Sequence, residues 1–432
     1  MATTWLGVIG FVAVLALMFV QVPVAVAMGV VGAAGFLYLQ GWDGLAYVMG
    51  SSPFESVIPY SLSIVPLFVM MGVFATYAGL SRQLYEAAYA FLGHYRGGLA
   101  LATIGACAAF GAICGSAIAT AATMCRVALP EMRRRGYADS LATATVAAGG
   151  TLGILIPPSI ILLLYALLTE QSLGKLYVAA LLPGVLGTGL YMLAIAVATR
   201  LNPQSGPAGE RMPWAQRRRT LKSVWPVFLL FTVVIGGMFI GVFSPNEAAS
   251  VGAVGALLFA LLGRTMSFGR FKDSLRETAA TSAMIFLILI GAGLFNFFLE
   301  VTNAPQFVVA QIRALQLSPA LFLVLLTVFY VVLGALMDDL AMMLLTLPFV
   351  FPAVQALGID PIWFGIYMVT IVEIGMIVPP VGMNLFVIQG VGQVKLAVVI
   401  RGILPFVAAD LVRVALLIGF PAIVLWLPSL MD

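Results

Sequence analysis

Two stretches of this chain combine glycine-loosened backbone with a proline pair. One reads Ala147-Ala148-Gly149-Gly150-Thr151-Leu152-Gly153-Ile154-Leu155-Ile156-Pro157-Pro158-Ser159, and the other runs from Thr370 through Glu373, Gly375, Pro379, Pro380 and Gly382 to Asn384. Paired prolines inside a helix remove two backbone donors and clash with carbonyls one turn back. The glycines let the freed backbone turn. The expected result is two half-helices around an unwound segment. Unwound carbonyls suit a hard cation such as Na⁺, and half-helix N-termini suit an anion. Gly149, Thr151, Ser159, Gly375, Gly382 and Asn384 are candidate ligands through carbonyl, hydroxyl or amide oxygens. The plainer alternative is a kink relieved by neighbouring helices.

Acids are the second signal. Asp338 and Asp339 follow Met337 deep in an apolar stretch, and Glu373 lies six residues before Pro379. Carboxylates in a membrane are rare and normally functional, so these are read as Na⁺ ligands or proton carriers. Gly115-Ser116-Ala117 occupies the matching place in the first half. Ser and Asp are also favoured N-caps, which alone would account for Ser116 and Asp338. His94 is the single histidine, and Cys107, Cys114 and Cys125 share one apolar stretch. That argues against a His/Cys metal centre and makes the cysteines packing residues. Arg126 reads as a snorkelling cation, and Asp410 with Arg413 as a structural i, i+3 pair.

These segments are placed by a duplication. Shifted by 222 residues, Pro23 falls on Pro245, Pro130 on Pro352, Pro157-Pro158 on Pro379-Pro380 and Pro183 on Pro405. Residues 1–210 hold ten prolines and 223–432 hold twelve, so five coincidences stand against about 0.6 by chance (10 × 12/210). Gly136 and Gly153 keep the same register with Gly358 and Gly375. Corresponding Gly/Pro-interrupted segments in two halves of a membrane protein point to a transporter's binding site.

Charged residues make up only 9% of the chain, hydrophobic residues 62%, and mean hydropathy is +1.11. Apolar runs of about 20 residues, the length of a span, recur throughout. The first lacks a charged n-region and cleavage site, and so reads as a permanent span. Spans are expected over about 5–20, 22–41, 63–80, 137–170 (broken) and 173–199, then 223–242, 245–263, 277–300, 360–392 (broken) and 396–428. Two further stretches, 98–130 and 318–352, are interrupted at Gly115-Ser116 and Met337-Asp339. About 15 residues on either side give roughly 22 Å of helix, short of the ~30 Å core. Each is expected as a re-entrant hairpin whose non-helical tip is shielded by protein or lines a cavity.

The fold class is therefore all-α and polytopic, with two repeats that each hold a hairpin and a Pro-Pro-broken helix. The expected parts are 1–80 and 223–300 as early spans, amphipathic interfacial helices within 81–97 and 301–317, and 98–199 and 318–432 carrying the hairpins. Between the copies, 200–222 is a basic linker in which Glu210 is the only acid beside Arg200, Arg211, Arg217, Arg218, Arg219 and Lys222. The positive-inside rule puts it in the cytoplasm. Both termini then fall outside, and five full spans per copy make the repeats inverted. The pI of about 9.0 is explained by the inside loops and calls for no nucleic-acid partner.

Gly115-Ser116-Ala117, then Ala128-Leu129-Pro130-Glu131-Met132, Arg135-Gly136-Tyr137 and the Gly149–Ser159 motif resemble the large membrane subunit of TRAP transporters. The likeness runs from Pro23 through Pro405. It implies a bacterial inner-membrane protein that takes up a small organic acid with Na⁺ as coupling ion, by an elevator motion. In that motion 98–199 and 318–428 would slide against 1–80 and 223–300. It implies a separate small four-helix membrane subunit, since no four extra spans precede Trp5, and a periplasmic substrate-binding protein. One Na⁺ site would use Gly115, Ser116, Gly149, Thr151 and Gly153, and the other Asp338, Asp339, Glu373 and Gly375. Substrate would lie between the tips near Ser159 and Asn384, bordered by Pro157, Pro158, Pro379, Pro380 and Gly382. Glu373 stands where the first copy has Thr151, and Val381 where it has Ser159, so the two sites should differ.

Three other readings remain. A stand-alone Na⁺/dicarboxylate symporter would need no binding protein. An intramembrane hydrolase would use Asp338, Asp339 and Glu373, but leaves the Pro-Pro pairs unexplained. A passive channel accounts for the hairpins but predicts flux without ion coupling.

Overall fold

The computed structural model describes residues 2–334 and 336–431; Ala335, in the second hairpin, lies outside them. The first half runs α1 (Ala2–Phe19), α2 (Val24–Glu55), α3 (Ile64–Tyr77), α4 (Leu80–Leu92), α5 (Gly98–Cys114), α6 (Ala117–Arg134), α7 (Asp139–Leu155), α8 (Ile160–Thr169) and α9 (Leu173–Leu201). The linker helix α10 (Trp214–Ser223) follows. The second half holds α11 (Trp225–Phe231), α12 (Gly237–Phe239), α13 (Pro245–Leu262), α14 (Phe268–Thr302), α15 (Ala304–Ala314), α16 (Pro319–Gly334), α17 (Asp339–Ala356), α18 (Pro361–Gly375), α19 (Met383–Gly392) and α20 (Leu396–Gly419). The order of elements repeats. The return arms and the broken helices start 222 residues apart (339 − 117 and 361 − 139).

Local chemistry sets these boundaries. Ser172, Ser267 and Asp360 cap α9, α14 and α18 by accepting from a backbone N–H three residues on. Ser244 and Glu247 form a reciprocal capping box on α13, behind Pro245 in its first turn, the arrangement that satisfies two orphan donors together. Each hairpin's return arm ends at a glycine in the left-handed region, Gly136 (φ +75°) and Gly358 (φ +68°). Other residues resist that conformation, which is why these two survive in register.

Among the described residues eight segments are long and apolar enough to cross a membrane, or nine if Trp214–Ser223 and Trp225–Phe239, bent by 43°, count as one. Large apolar side chains lie exposed along their outer faces, including Val26, Val30, Leu258, Leu262 and Leu404. In water so much apolar surface would be an aggregation hazard; in a bilayer it faces lipid. Residues 141–155 of α7 and 363–375 of α18 are continuously buried, and a helix hydrophobic all round belongs in the centre of a bundle. Around α7 pack α5, α6, α9, α18, α19 and α20, while α2 packs on α14 and α3 on α13 as a second group.

Two boundaries differ from expectation. Residues 42–62 lie between the spans expected over 22–41 and 63–80, yet helix resumes beyond Gly41 (φ +74°) as far as Glu55. The apolar residues Leu45 and Val48 of this extension are buried, and burial carries the helix on. The span expected to begin near 277 starts at Phe268, because Ser267 caps it and its first turns carry charges (Arg270, Lys272, Asp273) that need not enter the apolar layer.

Candidate functional site

The first hairpin turns at Gly115 (φ +66°), and Ser116 caps α6 by accepting from the Ala119 N–H at 3.4 Å. A Cβ on Gly115 would lie 2.6 Å from the Pro158 carbonyl, so the tip is seated on the unwound segment between α7 and α8. Gly111 meets Gly153 in the same way, at 2.6 Å from a built Cβ to Cα, and a Cβ on Gly153 would stand 3.0 Å from the Ser116 carbonyl. The expected first set is thus brought together at Gly115, Ser116 and Gly153. Gly149 packs on Cys107, and the Thr151 hydroxyl donates to Ala148 O at 2.7 Å. Thr120, which the sequence did not single out, belongs here too. Its Oγ1 is buried without a hydrogen-bond partner and would lie 2.7 Å from a Cβ on Gly153. A buried hydroxyl beside backbone carbonyls offers the hard oxygen ligands a cation takes.

In the second hairpin Asp338 caps α17, accepting from the Ala341 N–H at 2.6 Å, and Asp339 accepts from the Leu340 N–H at 2.9 Å. Capping spends one oxygen of each carboxylate and leaves the other. Gly334 packs on Gly375, with a built Cβ 2.4 Å from Cα, and this repeats the Gly111–Gly153 contact one residue out of register. The unwound segment Met376–Gly382 is half-exposed at Pro379 and exposed at Pro380, whereas Pro157 and Pro158 are buried. Gly382 takes φ +45°.

The substrate candidates separate. The Ser159 hydroxyl is spent within its own segment, donating to Ile154 O and accepting from the Leu162 N–H. Asn384 is fully buried; its amide nitrogen donates to Ala147 O at 3.1 Å, across to the first copy, and its Oδ1 has no partner. Glu373 was expected beside the second tip. One of its oxygens pairs instead with Arg413, and Oε1 has no protein partner. Arg413 and Asp410, read from the sequence as a local pair, are part of this cluster.

The described residues include no group of three or more His, Cys, Asp or Glu able to hold a metal, so Glu373 does not join Asp338 and Asp339 in one such group, and a cation here would draw on carbonyl and hydroxyl oxygens beside at most the two tip acids. A cavity of 520 Å³ opens elsewhere, between α2 and α14 on one side and α8 and α17 on the other, with Glu55, Asn296, Glu300 and Gln306 in its wall. No tip or break residue lines it. Lys175 aside, no hydrogen bond or ion pair among the described residues joins the α2/α3/α13/α14 group to the hairpins and broken helices; contacts such as Phe68 on Tyr177, ring centres 6.2 Å apart, do so. At the linker side Glu131 takes bonds from Arg134 (3.0 Å) and Arg135 (2.9 Å). Partial burial opposes its ionisation, but the two guanidinium bonds outweigh this and hold the carboxyl below its usual range.

Paired hairpins seated on paired broken helices define a membrane transporter. Comparison with known proteins specifies the kind. A family model described as the DctM component of tripartite ATP-independent periplasmic transporters matches residues 11–423. The chain is 38% identical over 378 residues to the C4-dicarboxylate TRAP transporter large permease protein DctM of Pseudomonas aeruginosa, covering 87% of this chain and 88% of that one. It is 34% identical to the isethionate TRAP transporter permease protein DctMQ of Oleidesulfovibrio alaskensis, covering 94% of this chain and 63% of the relative. In structure it is similar to the Alcanivorax borkumensis YdaH transporter, with a TM-score of 0.62 over 88% of this chain and 89% of that one at 17% identity, a likeness of fold alone. The chain belongs to the DctM family of TRAP transporter large permeases. It is a multi-span membrane transporter, and not an enzyme.

Proposed function

We propose that this permease drives uptake of a small carboxylate or sulfonate anion across the bacterial inner membrane with Na⁺, using inverted repeats and an elevator motion, both termini being periplasmic. A periplasmic binding protein delivers the substrate, and a small four-helix membrane subunit completes the assembly. The observation that carries this reading is the repeated seat of a hairpin tip on a Pro-Pro break, Gly111 on Gly153 and Gly334 on Gly375. Each seat gathers backbone carbonyls, the kind of ligand unwound transporter helices offer Na⁺. The first cation is assigned to Gly115, Ser116, Gly149, Thr151 and Gly153, with Thr120 added. The second is assigned to the spare oxygens of Asp338 and Asp339 with Gly375, leaving Glu373 to its pair with Arg413. Between the tips, Asn384 Oδ1 and the exposed Pro379-Pro380 segment with Gly382 receive the substrate; Ser159 and Pro157-Pro158 shape the wall. The apolar interface between the two helix groups supports sliding, because it holds few directional bonds that would have to break. The relatives' names support both acid classes, C4-dicarboxylate and isethionate.

The test is uptake into proteoliposomes holding this chain, its small subunit and its binding protein, with and without an inward Na⁺ gradient. Accumulation should require both the gradient and the binding protein, and Asp338→Asn should abolish it. Accumulation without the binding protein would instead establish a stand-alone symporter. Downhill flux indifferent to Na⁺ would leave a channel.

A further inference from the structure

Two guanidinium groups are buried in this chain, and only one of them is answered. Arg413 has Glu373 and Asp410 beside it. Arg217, on the linker helix α10, is 5% exposed, and its Cζ stands 5.7 Å from the ring centre of Phe91 on α4 and 5.4 Å from that of Trp214. Rings stacked on a guanidinium engage its faces and leave its N–H edge free for an acceptor. Nε and Nη2 are buried without a hydrogen-bond partner, whereas Nη1 is not closed off in this way. Among the described residues no carboxylate pairs with Arg217. Glu131 is taken up by Arg134 and Arg135, while Glu86 on α4 and Glu210 in the linker are exposed. Buried charges are normally paired or hydrogen-bonded, so the missing acceptor is to be sought outside the chain.

The surroundings indicate its chemistry. Trp214, Leu221, Trp225 and Phe228 recur at i, i+7, i+11 and i+14 along α10 and α11, and all four are exposed. Exposed tryptophans with apolar neighbours where a span begins mark the level of the lipid headgroups. By helical periodicity Arg217 borders one edge of this stripe, and the exposed Arg218 and Lys222 border the other. An apolar stripe edged by cations fits a membrane surface of negative charge. Phosphate oxygens, in turn, match the N–H edge of a guanidinium. A free anion in solution would make no use of the stripe.

We propose that Arg217 seats the phosphate of an anionic lipid headgroup, with Trp214 and Leu221 against the acyl region and Arg218 and Lys222 facing neighbouring headgroups. Because α10 packs along the arm helix α4, and Phe91 of α4 forms one wall of the seat, the headgroup completes the contact between two interfacial helices and holds them at the membrane surface. The positive-inside rule makes this the cytoplasmic leaflet. That choice of leaflet rests on the orientation given under Proposed function; the site itself depends on neither that orientation nor Na⁺ coupling.

The experiment follows the melting temperature of the purified full chain in detergent micelles as phosphatidylglycerol, phosphatidylcholine or inorganic phosphate is added, and counts by mass spectrometry the lipid that stays bound to the folded protein. Phosphatidylglycerol should raise the melting temperature by several degrees and remain bound; the other two should do neither. Arg217→Gln should lose most of the shift and the bound lipid. Arg218→Gln, which removes the same charge from an exposed position, should keep both, and Arg217→Lys, which keeps the charge without the planar fork, should fall between. Should Arg217→Gln melt lower from the outset, the lipid count on the folded variant decides: lipid retained there overturns the seat. Equal losses at the two positions would reduce the patch to diffuse surface charge and also overturn it. An equal response to inorganic phosphate would give the site to a free anion, and an equal response to phosphatidylcholine would give it to the apolar stripe alone. A phosphatidylglycerol response that vanishes once the small membrane subunit is bound would hand the surface to a protein partner. Each of these three would overturn the lipid phosphate.

Discussion

At the scale of single residues, the site is built from what is missing. Gly111, Gly153, Gly334 and Gly375 have no side chain, and only that lets a hairpin arm lie on a broken helix with backbone touching backbone. A Cβ on Gly375 would stand 2.8 Å from Gly334 Cα and 3.5 Å from Tyr330 O. Backbone cannot swing aside as a flexible side chain can. Gly375→Ala should therefore cost ~1–3 kcal/mol, the usual range for overpacking. A lower melting temperature of the purified complex and a large loss of Na⁺-driven uptake would register it. Gly390→Ala, in open space, should change neither; equal effects at the two positions would show that the contact has no special role.

At the scale of elements, the basic linker is a strap and not a slack tether. Gly206 O accepts from the Gly97 N–H (2.8 Å), Ser205 O from the Ala138 N–H (3.0 Å), and the Gly209 N–H donates to Gly93 O (2.9 Å). Tyr137, in the first turn after Gly136, donates to Pro207 O at 2.9 Å and accepts from the Leu99 N–H at 3.1 Å. The strap thus ties the arm helix α4, the mouth of the first hairpin and the start of α7 to one another. Tyr137→Phe would strand the Leu99 donor and the Pro207 acceptor, a loss of ~1–3 kcal/mol for a buried unsatisfied group. Thermal unfolding should detect it, with Tyr89→Phe, whose hydroxyl makes no such bridge, as comparison. Much of this scale was legible beforehand. Prolines and glycines act through the backbone locally, so the breaks at Pro157-Pro158 and Pro379-Pro380, the hairpin tips and the corners at Gly136 and Gly358 could be read from residue type. Side-chain pairing across the bundle could not. Asp410 and Arg413 showed their i, i+3 spacing, but Glu373 lies forty residues away, and α18, buried on all sides, has no periodicity that says which way Glu373 faces. Thr120 was hidden for the same reason: only packing makes its hydroxyl an orphan.

At the scale of the whole molecule, what matters is which contacts would survive a slide. Within the hairpin-bearing group, Asn384 donates to Ala147 O, Tyr191 to Asp410 and Tyr165 to Pro361 O, so the two copies are fastened to each other by buried polar bonds. Between that group and the α2/α3/α13/α14 group, Lys175 aside, the described residues make no hydrogen bond or ion pair, and packing contacts such as Phe68 on Tyr177 can be exchanged for similar ones at small cost because they have no required direction. The bonding therefore favours one body moving against another over two repeats rocking apart. The 520 Å³ cavity lies on this seam, with Asn296 on α14 and Leu347 on α17 in its wall. Cysteines at these two positions, joined by a flexible, reducible bifunctional thiol reagent, should halt uptake while leaving the Na⁺-dependent rise in melting temperature intact, and reduction should restore transport. Cys107, Cys114 and Cys125 are buried and will not compete for the reagent. Undiminished uptake by the cross-linked protein would place the moving seam elsewhere, and loss of the Na⁺ response together with uptake would mean that the bridge distorts the sites and does not merely stop the slide.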